Sequence, residues 1–492
     1  MPIFSLSGKY GIGTFGKSAY EFVDFLERGG QSYWQILPLS PTNYGDSPYQ
    51  SFSSYAGNPY FIDPELLIKE GLLREDEADS FDFGSDPEKI DYGKLYKERS
   101  RMLSLAFARF EKTKAYENFC KENAYWLDDY AFFSAMKGRH LEKPLLLWDE
   151  AVKKREPEAL AAMKKELAGE IEFCRFQQFK FYEQWFALKE YANKKGVKII
   201  GDIPIYVAAD SADLWADPEQ FQVDGELAPS LVAGCPPDAF TDEGQLWGNP
   251  LYDWKYMKKD GFSWWKKRLN FALRIYDVVR IDHFRAFESY YAIPATDENA
   301  INGKWVKGPG IALFNEIKKE FGASLPIIAE DLGFLTPAVY KLLRDSGFPG
   351  MKVLQFAFDS REESDYLPHN YKNNCVVYTG THDNDTVMGW TETAEQSDVA
   401  FARRYLHVDD NEGFNWAMMR AAMMSVADTC ILMMPDLLGL GSEARINTPS
   451  TLGGNWQWRI SEGCVNDWLA GILRENTELY SRLQDKKEEK SK

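Results

Sequence analysis

The chain is poor in cysteine and in histidine, with six and five among 492 residues. Cys120, Cys174, Cys235, Cys375, Cys430 and Cys464 are scattered, without Cys-x-x-Cys or metal-finger spacing. That excludes a disulfide-stapled scaffold and a zinc ribbon, and favours reduced thiols in a cytoplasmic protein. Long apolar runs are missing too. Hydrophobic residues make up 45% of the chain, yet no stretch reaches the roughly 20 consecutive apolar residues of a membrane helix. The opening Met1-Pro-Ile-Phe-Ser-Leu-Ser-Gly-Lys-Tyr10 lacks the basic region and apolar core of a secretion signal. Positive charge is also in deficit. A formal net charge of −18 works against a phosphate-backbone partner, since nucleic-acid binding needs a basic surface. No nucleic acid and no membrane are therefore expected as partners.

Aromatic residues, by contrast, are plentiful: 15 Trp, 26 Tyr and 32 Phe. Many must form core, but aromatic faces also serve as platforms for sugar rings, and composition does not separate the two uses. The length exceeds one ordinary core, so either several domains or one large barrel with insertions is expected. Ala19, Phe22, Val23 and Leu26 predict an amphipathic helix over 16–30, stopped by Gly29-Gly30, with a short strand at 34–37. The same helix-then-strand order recurs at 181–192 into 197–202, 263–275 into 277–282, and 311–321 into 326–330. Further strands are predicted at 351–358, 374–380 and 430–435. Such alternation predicts a parallel sheet with crossover helices. Two stretches interrupt it. Residues 68–155 read as an inserted helical subdomain, and 206–260 as a long ordered loop region, uncommon unless functional. The barrel itself would then comprise 1–67 and 156–492, and the tail 484–492 reads as a frayed end.

Acidic residues decide between an open sheet and a closed one. Asp202, Asp282, Glu330 and Asp383 each follow the C-terminal end of a separate predicted strand. In a (β/α)8 TIM barrel those ends converge on one face, where active sites are built, so that barrel is the expected α/β fold, with no separate C-terminal β domain. In Asp277-Val-Val-Arg-Ile-Asp-His283, Arg280 and Asp282 are two apart and point to the same side of a strand. The guanidinium favours an ionised carboxylate, a candidate nucleophile; a plain structural salt bridge is the alternative. Glu330 and Asp331 are adjacent, so only one can face a barrel mouth, and spacing alone leaves open which. His382, Asp383 and Asp385 lie in a polar turn after a β-branched strand. The other histidines, His140, His283, His369 and His407, show no matching ligand spacing, so no metal is expected. Gly11-Ile-Gly-Thr-Phe-Gly16 matches a dinucleotide-binding pattern, but no strand precedes it and no βαβ unit with an acidic residue follows. It reads as a turn, and no cofactor is expected.

Several of these segments resemble the 4-α-glucanotransferases, the amylomaltase or disproportionating-enzyme family of the α-amylase clan. They are Arg280-Ile-Asp-His-Phe-Arg-Ala286, Ala329-Glu-Asp-Leu-Gly333 and Thr381-His-Asp-Asn-Asp-Thr386. Similar to family segments as well are Gly45-Asp-Ser-Pro-Tyr-Gln-Ser-Phe-Ser53, Gly201-Asp-Ile-Pro-Ile-Tyr-Val207, Pro236-Pro-Asp-Ala-Phe240, Gly244-Gln-Leu-Trp-Gly-Asn-Pro250 and Gly453-Gly-Asn-Trp-Gln-Trp-Arg459. The resemblance implies Asp282 as nucleophile, with Arg280 keeping it ionised, Glu330 as acid/base, and Asp383 with His382 gripping sugar hydroxyls. It implies Tyr49 stacking on the transferred sugar, and Ser47, Asp202 and Asn455 as further substrate contacts. Gln245 and Trp247 would hold the leaving or accepting glucan beneath a lid carrying Pro237, Asp238 and Phe240. Ordinary core packing is the alternative for Tyr49 and Trp247. The chain departs from the family pattern at Ala286, at Cys235 and Ala239 in the lid, and at Met434-Pro-Asp436.

Residue chemistry and resemblance converge on retaining transfer of α-1,4-glucan segments from a donor maltodextrin to the 4-hydroxyl of an acceptor glucan or glucose, through a covalent glucosyl-enzyme on Asp282. Retention requires the Asp282 and Glu330 carboxyls to stand about 5–5.5 Å apart. An α-amylase-type hydrolase and a catalytically dead sugar-binding barrel remain as alternatives.

Overall fold

A computed structural model describes residues 1–43, 45–237, 242–333, 335–409 and 411–484. Within them eleven strands occur: β1 (Tyr33–Gln35), β2 (Lys198–Ile203), β3 (Leu231–Cys235), β4 (Gln245–Pro250), β5 (Val278–Ile281), β6 (Ser289–Pro294), β7 (Lys304–Lys307), β8 (Ile327–Ala329), β9 (Gly350–Val353), β10 (Cys375–Tyr378) and β11 (Thr429–Ile431). Seven of these are parallel and lie in two arcs, β1-β2-β5-β8 and β9-β10-β11. The amide of Ala329 donates to Pro349 O at 2.9 Å, which carries the hydrogen-bonding from the first arc towards the second. Tyr378, on β10, donates its hydroxyl to the Gln35 side chain at the end of β1, 3.0 Å away.

The predicted alternation is present, with shifted boundaries. The first helix runs Lys17–Arg28 and buries Ala19, Phe22, Val23, Phe25 and Leu26. The helix before β2 is much longer than its periodicity suggested, Ala168–Lys194. It buries residues on several sides because β2 and the neighbouring helices all pack on it, so no single stripe marks its start. Its Trp185 is fully buried and donates its indole N–H to Ile275 O at 3.1 Å. Two predicted strands proved shorter. The 351–358 stretch becomes a 3-10 turn after Val353, and 430–435 gives way to the helix Met434–Leu438. Among the described residues no strand follows Ile431.

Residues 206–260 are not a loop region. β3 and β4 lie there and join β6 and β7 in an antiparallel sheet of order β4-β3-β6-β7. Their alternation was obscured by a register shift between Val232 and Gly234 and by Gly248 in the left-handed region (φ 76°). β7 is exposed at all four positions, as a sheet edge can be. Between residues 68 and 155 the helices Tyr92–Ala108, Lys114–Glu122 and Ala124–Arg139 dominate. The turn before the first of them reaches the chain's far end, with Ile90 N bonded to Gln457 O at 2.9 Å and Arg459 N to Glu88 O at 2.8 Å.

Close packing at the strand ends leaves little freedom. A methyl on Gly201 of β2 would lie 2.2 Å from the ring of Tyr276, a fully enclosed side chain that cannot swing into solvent. Gly201→Ala is expected to lose about 1–3 kcal/mol of stability through overpacking, seen as a lower urea midpoint at unchanged slope. An unchanged midpoint would mean that the ring has room to move.

Candidate active site

Strand register assembles the acidic cluster. Asp202 on β2 is the direct partner of Arg280 on β5, and Ile281 is the partner of Ala329 on β8. In-register neighbours share a face, so Asp202 and Arg280 stand side by side, while Asp282 and Glu330 each come one residue past paired ends. The pairing continues there: Glu330 N donates to Ile281 O at 3.1 Å and Phe284 N to Glu330 O at 3.0 Å. Arg280 Nη1 lies 2.6 Å from Asp202 Oδ2 and 3.0 Å from Asp282 Oδ1. The Asp202 side chain is 0% exposed and that of Arg280 4%, whereas Asp282 keeps 30% open. Asp202 therefore lies beneath the groove surface, and its contacts run through Arg280 and Tyr49. Tyr49 donates its hydroxyl to Asp202 Oδ2 at 2.8 Å.

Glu330 is held by backbone rather than by a cation. His283 N donates to its Oε2 at 2.6 Å and Leu332 N to its Oε1 at 2.8 Å. His283 sits in the left-handed region (φ 51°), an uncommon conformation for a non-glycine residue. That kink, directly after Asp282, is what presents its amide to Glu330. Burial pushes the Glu330 carboxyl up to about 7, helped by the negative charge of Asp282 and opposed by Arg280 and the two amides. Burial also raises Asp282, to about 6, with Arg280 pulling the other way. The two carboxyls titrate as a pair. Because Asp282 is partly open to water and touches the guanidinium, the order we assign is Asp282 ionised and Glu330 protonated. The neighbouring Asp331 turns away, accepting from Met351 N at 2.6 Å. This resolves which of the adjacent acids faces the groove.

Asp383 completes the set from a third element. Its side chain is 47% exposed and lies 3.4 Å from His382 Nε2. Asn447 donates to Asp383 Oδ1 at 2.6 Å, and Arg445 to its carbonyl at 2.8 Å. The His382 ring stacks on Tyr49 with centroids 4.9 Å apart and planes at 19°, and Trp456 lies against both. On the other flank Trp247 meets the His283 ring edge-to-face at 4.8 Å, and its indole N–H donates to Gln245 Oε1 at 3.0 Å. Burial and the adjacent Arg285 charge lower His283 to about 3, so its imidazole is neutral.

The structure thus brings Tyr49, Asp202, Arg280, Asp282, Glu330, His382 and Asp383 together, with Gln245 and Trp247 alongside. Ser47 instead supports its own turn, accepting from Tyr49 N at 3.3 Å. Asn455 is occupied within its loop, accepting from Thr448 N and donating to Thr451. Pro237 is exposed, while Asp238 and Phe240 lie outside the described residues. Sequence reasoning missed Asn447, Trp456 and the His283 amide. Asn447 and Trp456 stand in no acidic motif, and the His283 amide, though inside one, is a backbone donor that leaves no side-chain signal.

A parallel α/β framework with a buried and a partly open carboxyl group beside aromatic side chains at its strand ends defines the class of carboxylate-based enzymes. The chain belongs to the 4-alpha-glucanotransferase family, whose sequence model matches residues 1–465. It is 49% identical over 488 residues to the 4-alpha-glucanotransferase of Clostridium butyricum, covering 98% of this chain and 100% of that one. The 4-alpha-glucanotransferase of Thermus thermophilus is 47% identical over 492 residues, with 97% of each chain covered. Among solved structures, the amylomaltase from Streptococcus agalactiae in complex with acarbose superposes with a TM-score of 0.96 at 44% identity, over 98% of both chains.

The raised acid has a consequence for stability. Unfolded, Glu330 titrates near 4.5; folded, near 7. The native state therefore holds the extra proton between those values, and stability falls as pH rises across that window. The stability of Glu330→Gln relative to the parent is expected to improve from pH 4.5 to 7 and level off above, measured by urea denaturation at a series of pH values. A pH-independent difference would contradict the shift.

Proposed function

We propose that this chain transfers α-1,4-glucan segments between maltodextrins by double displacement with retention, and that its two parallel arcs close into an eight-stranded-type barrel around the site. The observation that carries the reading is the Arg280–Asp282–Glu330 constellation, with one partly open carboxylate paired to a guanidinium and one buried carboxyl holding a proton near neutrality. Asp282 attacks the anomeric carbon while Glu330 delivers its proton to the departing glucan oxygen. With Asp282 now esterified, the charge that helped to raise Glu330 is gone. The Glu330 carboxylate then removes the proton from the 4-hydroxyl of an acceptor glucan, which attacks the anomeric carbon and releases Asp282. Asp383, steadied by Asn447, binds hydroxyls of the sugar as positive charge develops on its ring.

Arg280 orients the nucleophile, and Asp202 acts by fixing Arg280 and Tyr49. The face of Tyr49 turned away from His382 carries the sugar, and Gln245 and Trp247 carry the glucan on the other side of the bond. Transfer prevails over hydrolysis when the covalent intermediate is shielded and the acceptor side stays filled; the lid through Pro237, Asp238 and Phe240 is the segment we assign to this. Six cysteines that form no disulfide among the described residues fit a reducing compartment, in line with a cytoplasmic enzyme. Among the described residues no helix is long and apolar enough to cross a membrane.

The mechanism needs Asp282 ionised and Glu330 protonated together. kcat/KM is therefore expected to rise through an acid limb near 6 and fall through a basic limb near 7, both belonging to the pair. Asp282→Asn is expected to lower turnover on the order of 10⁴-fold with the far-UV spectrum unchanged. Maltotriose separates transferase from hydrolase: transfer gives glucose with a ladder of longer dextrins, hydrolysis only shorter products. An Asp282→Asn protein that still builds the ladder at near-parental rate would remove the nucleophile from the scheme.

A further inference from the structure

The Lys137 ammonium is buried far from the carboxylates, in the helix Ala124–Arg139. Its side chain is 5% exposed, and a buried cation must be fully partnered. All three of its N–H donors are taken. Two go to backbone carbonyls of the next turn, Glu142 O at 2.9 Å and Lys143 O at 3.0 Å, and one to Asp210 Oδ2 at 2.7 Å. The other Asp210 oxygen accepts from Leu145 N at 2.9 Å. The same ammonium lies over the Phe52 ring, 5.2 Å from its centroid, a cation–π distance. One charge thus joins the helical region, the segment after β2 and the loop that carries Tyr49.

That loop is attached by polar and ring contacts rather than by a sheet. Ala212 N donates to Phe52 O at 2.8 Å, two residues from Asp210. Gln50 Nε2 reaches Asn249 Oδ1 at 3.2 Å, and Thr42 and Ser51 form an isolated bridge. Phe133, on the Lys137 helix, meets Phe52 from the same side, with centroids 6.2 Å apart. Tyr49 is three residues from Phe52, and its hydroxyl must stay on Asp202 if Arg280 and Asp282 are to hold their geometry.

We propose that Lys137 and Asp210 are positioning residues for the transfer reaction: through Phe52 they hold Tyr49 over the nucleophile, which gives the helical region between residues 68 and 155 a part in catalysis. This rests on the role assigned above to Tyr49, and the test separates the two. Tyr49→Phe, Lys137→Met, Asp210→Asn and the double variant Tyr49→Phe/Lys137→Met are compared in maltotriose disproportionation, with initial rates and urea midpoints. Asp210→Asn removes one of the two acceptor oxygens but keeps the other for Leu145 N, so it serves as the second variant should Lys137→Met not fold.

The expected result is a roughly tenfold fall in kcat for Lys137→Met, a smaller one for Asp210→Asn, little change in KM, and a larger share of hydrolysis. Lys137→Arg should recover part of the loss. In the Tyr49→Phe background Lys137→Met should cost little more, because both changes disturb one element. Fully independent effects of Tyr49→Phe and Lys137→Met would overturn the positioning role while leaving Tyr49 in place. Tyr49→Phe at parental rate would overturn the role of Tyr49 itself. Parental kinetics in folded Lys137→Met or Asp210→Asn would overturn the proposal directly.

Discussion

One guanidinium organises the acidic cluster. Arg280 is buried on a strand, in register with Asp202 and two residues before Asp282, and a single nitrogen contacts both carboxylates. A buried carboxylate without a partner is costly and tends to take up a proton. Arg280 supplies one cation to two acids at the strand ends, and Asp202 in turn keeps Arg280 there. Tyr49 is tied to the same network through its hydroxyl, so the aromatic side and Asp282 share one anchor. Removing Arg280 would leave both carboxylates without their shared cation.

The second carboxyl is treated in the opposite way. Glu330 is buried, accepts from two backbone amides, and sits near an existing negative charge. Two backbone amides hold it in place, which orients the group and moderates the rise in its proton affinity without abolishing it. Two acids on adjacent strands thus acquire different proton affinities from their surroundings alone, as acid and nucleophile roles require. The difference is created by where the guanidinium lies and by the kink at His283, which turns an amide towards Glu330.

The aromatic surplus divides between core and groove. Trp34, Trp185, Trp215 and Trp265 are buried almost completely and pack helices onto strands. Tyr49 and Trp247 are different, each half-buried beside a histidine at the edge of the site, while the buried Trp456 packs against Tyr49 and His382. The elements that hold them come from distant parts of the chain, among them the residues 88–90 segment, the Ala124–Arg139 helix and the antiparallel sheet. The groove walls therefore depend on the additions to the parallel framework, whereas the carboxylates depend on that framework.

Much was legible in the sequence because strand alternation is a local property. The two-residue spacing of Arg280 and Asp282 placed both on one side, and acids at the ends of successive strands pointed to a shared face. The helix-then-strand rhythm survives in the structure with its boundaries moved. The antiparallel sheet was not legible, since a register shift and a left-handed glycine broke the period on which such reading relies. Which of Glu330 and Asp331 faces the groove depended on packing against β9, where Asp331 is claimed by the Met351 amide. Proton affinities, the backbone donor at His283, and the meeting of Asn447 with Asp383 were decided only by tertiary structure. Each arises from groups far apart along the chain, and burial and distance have no counterpart in the order of residues.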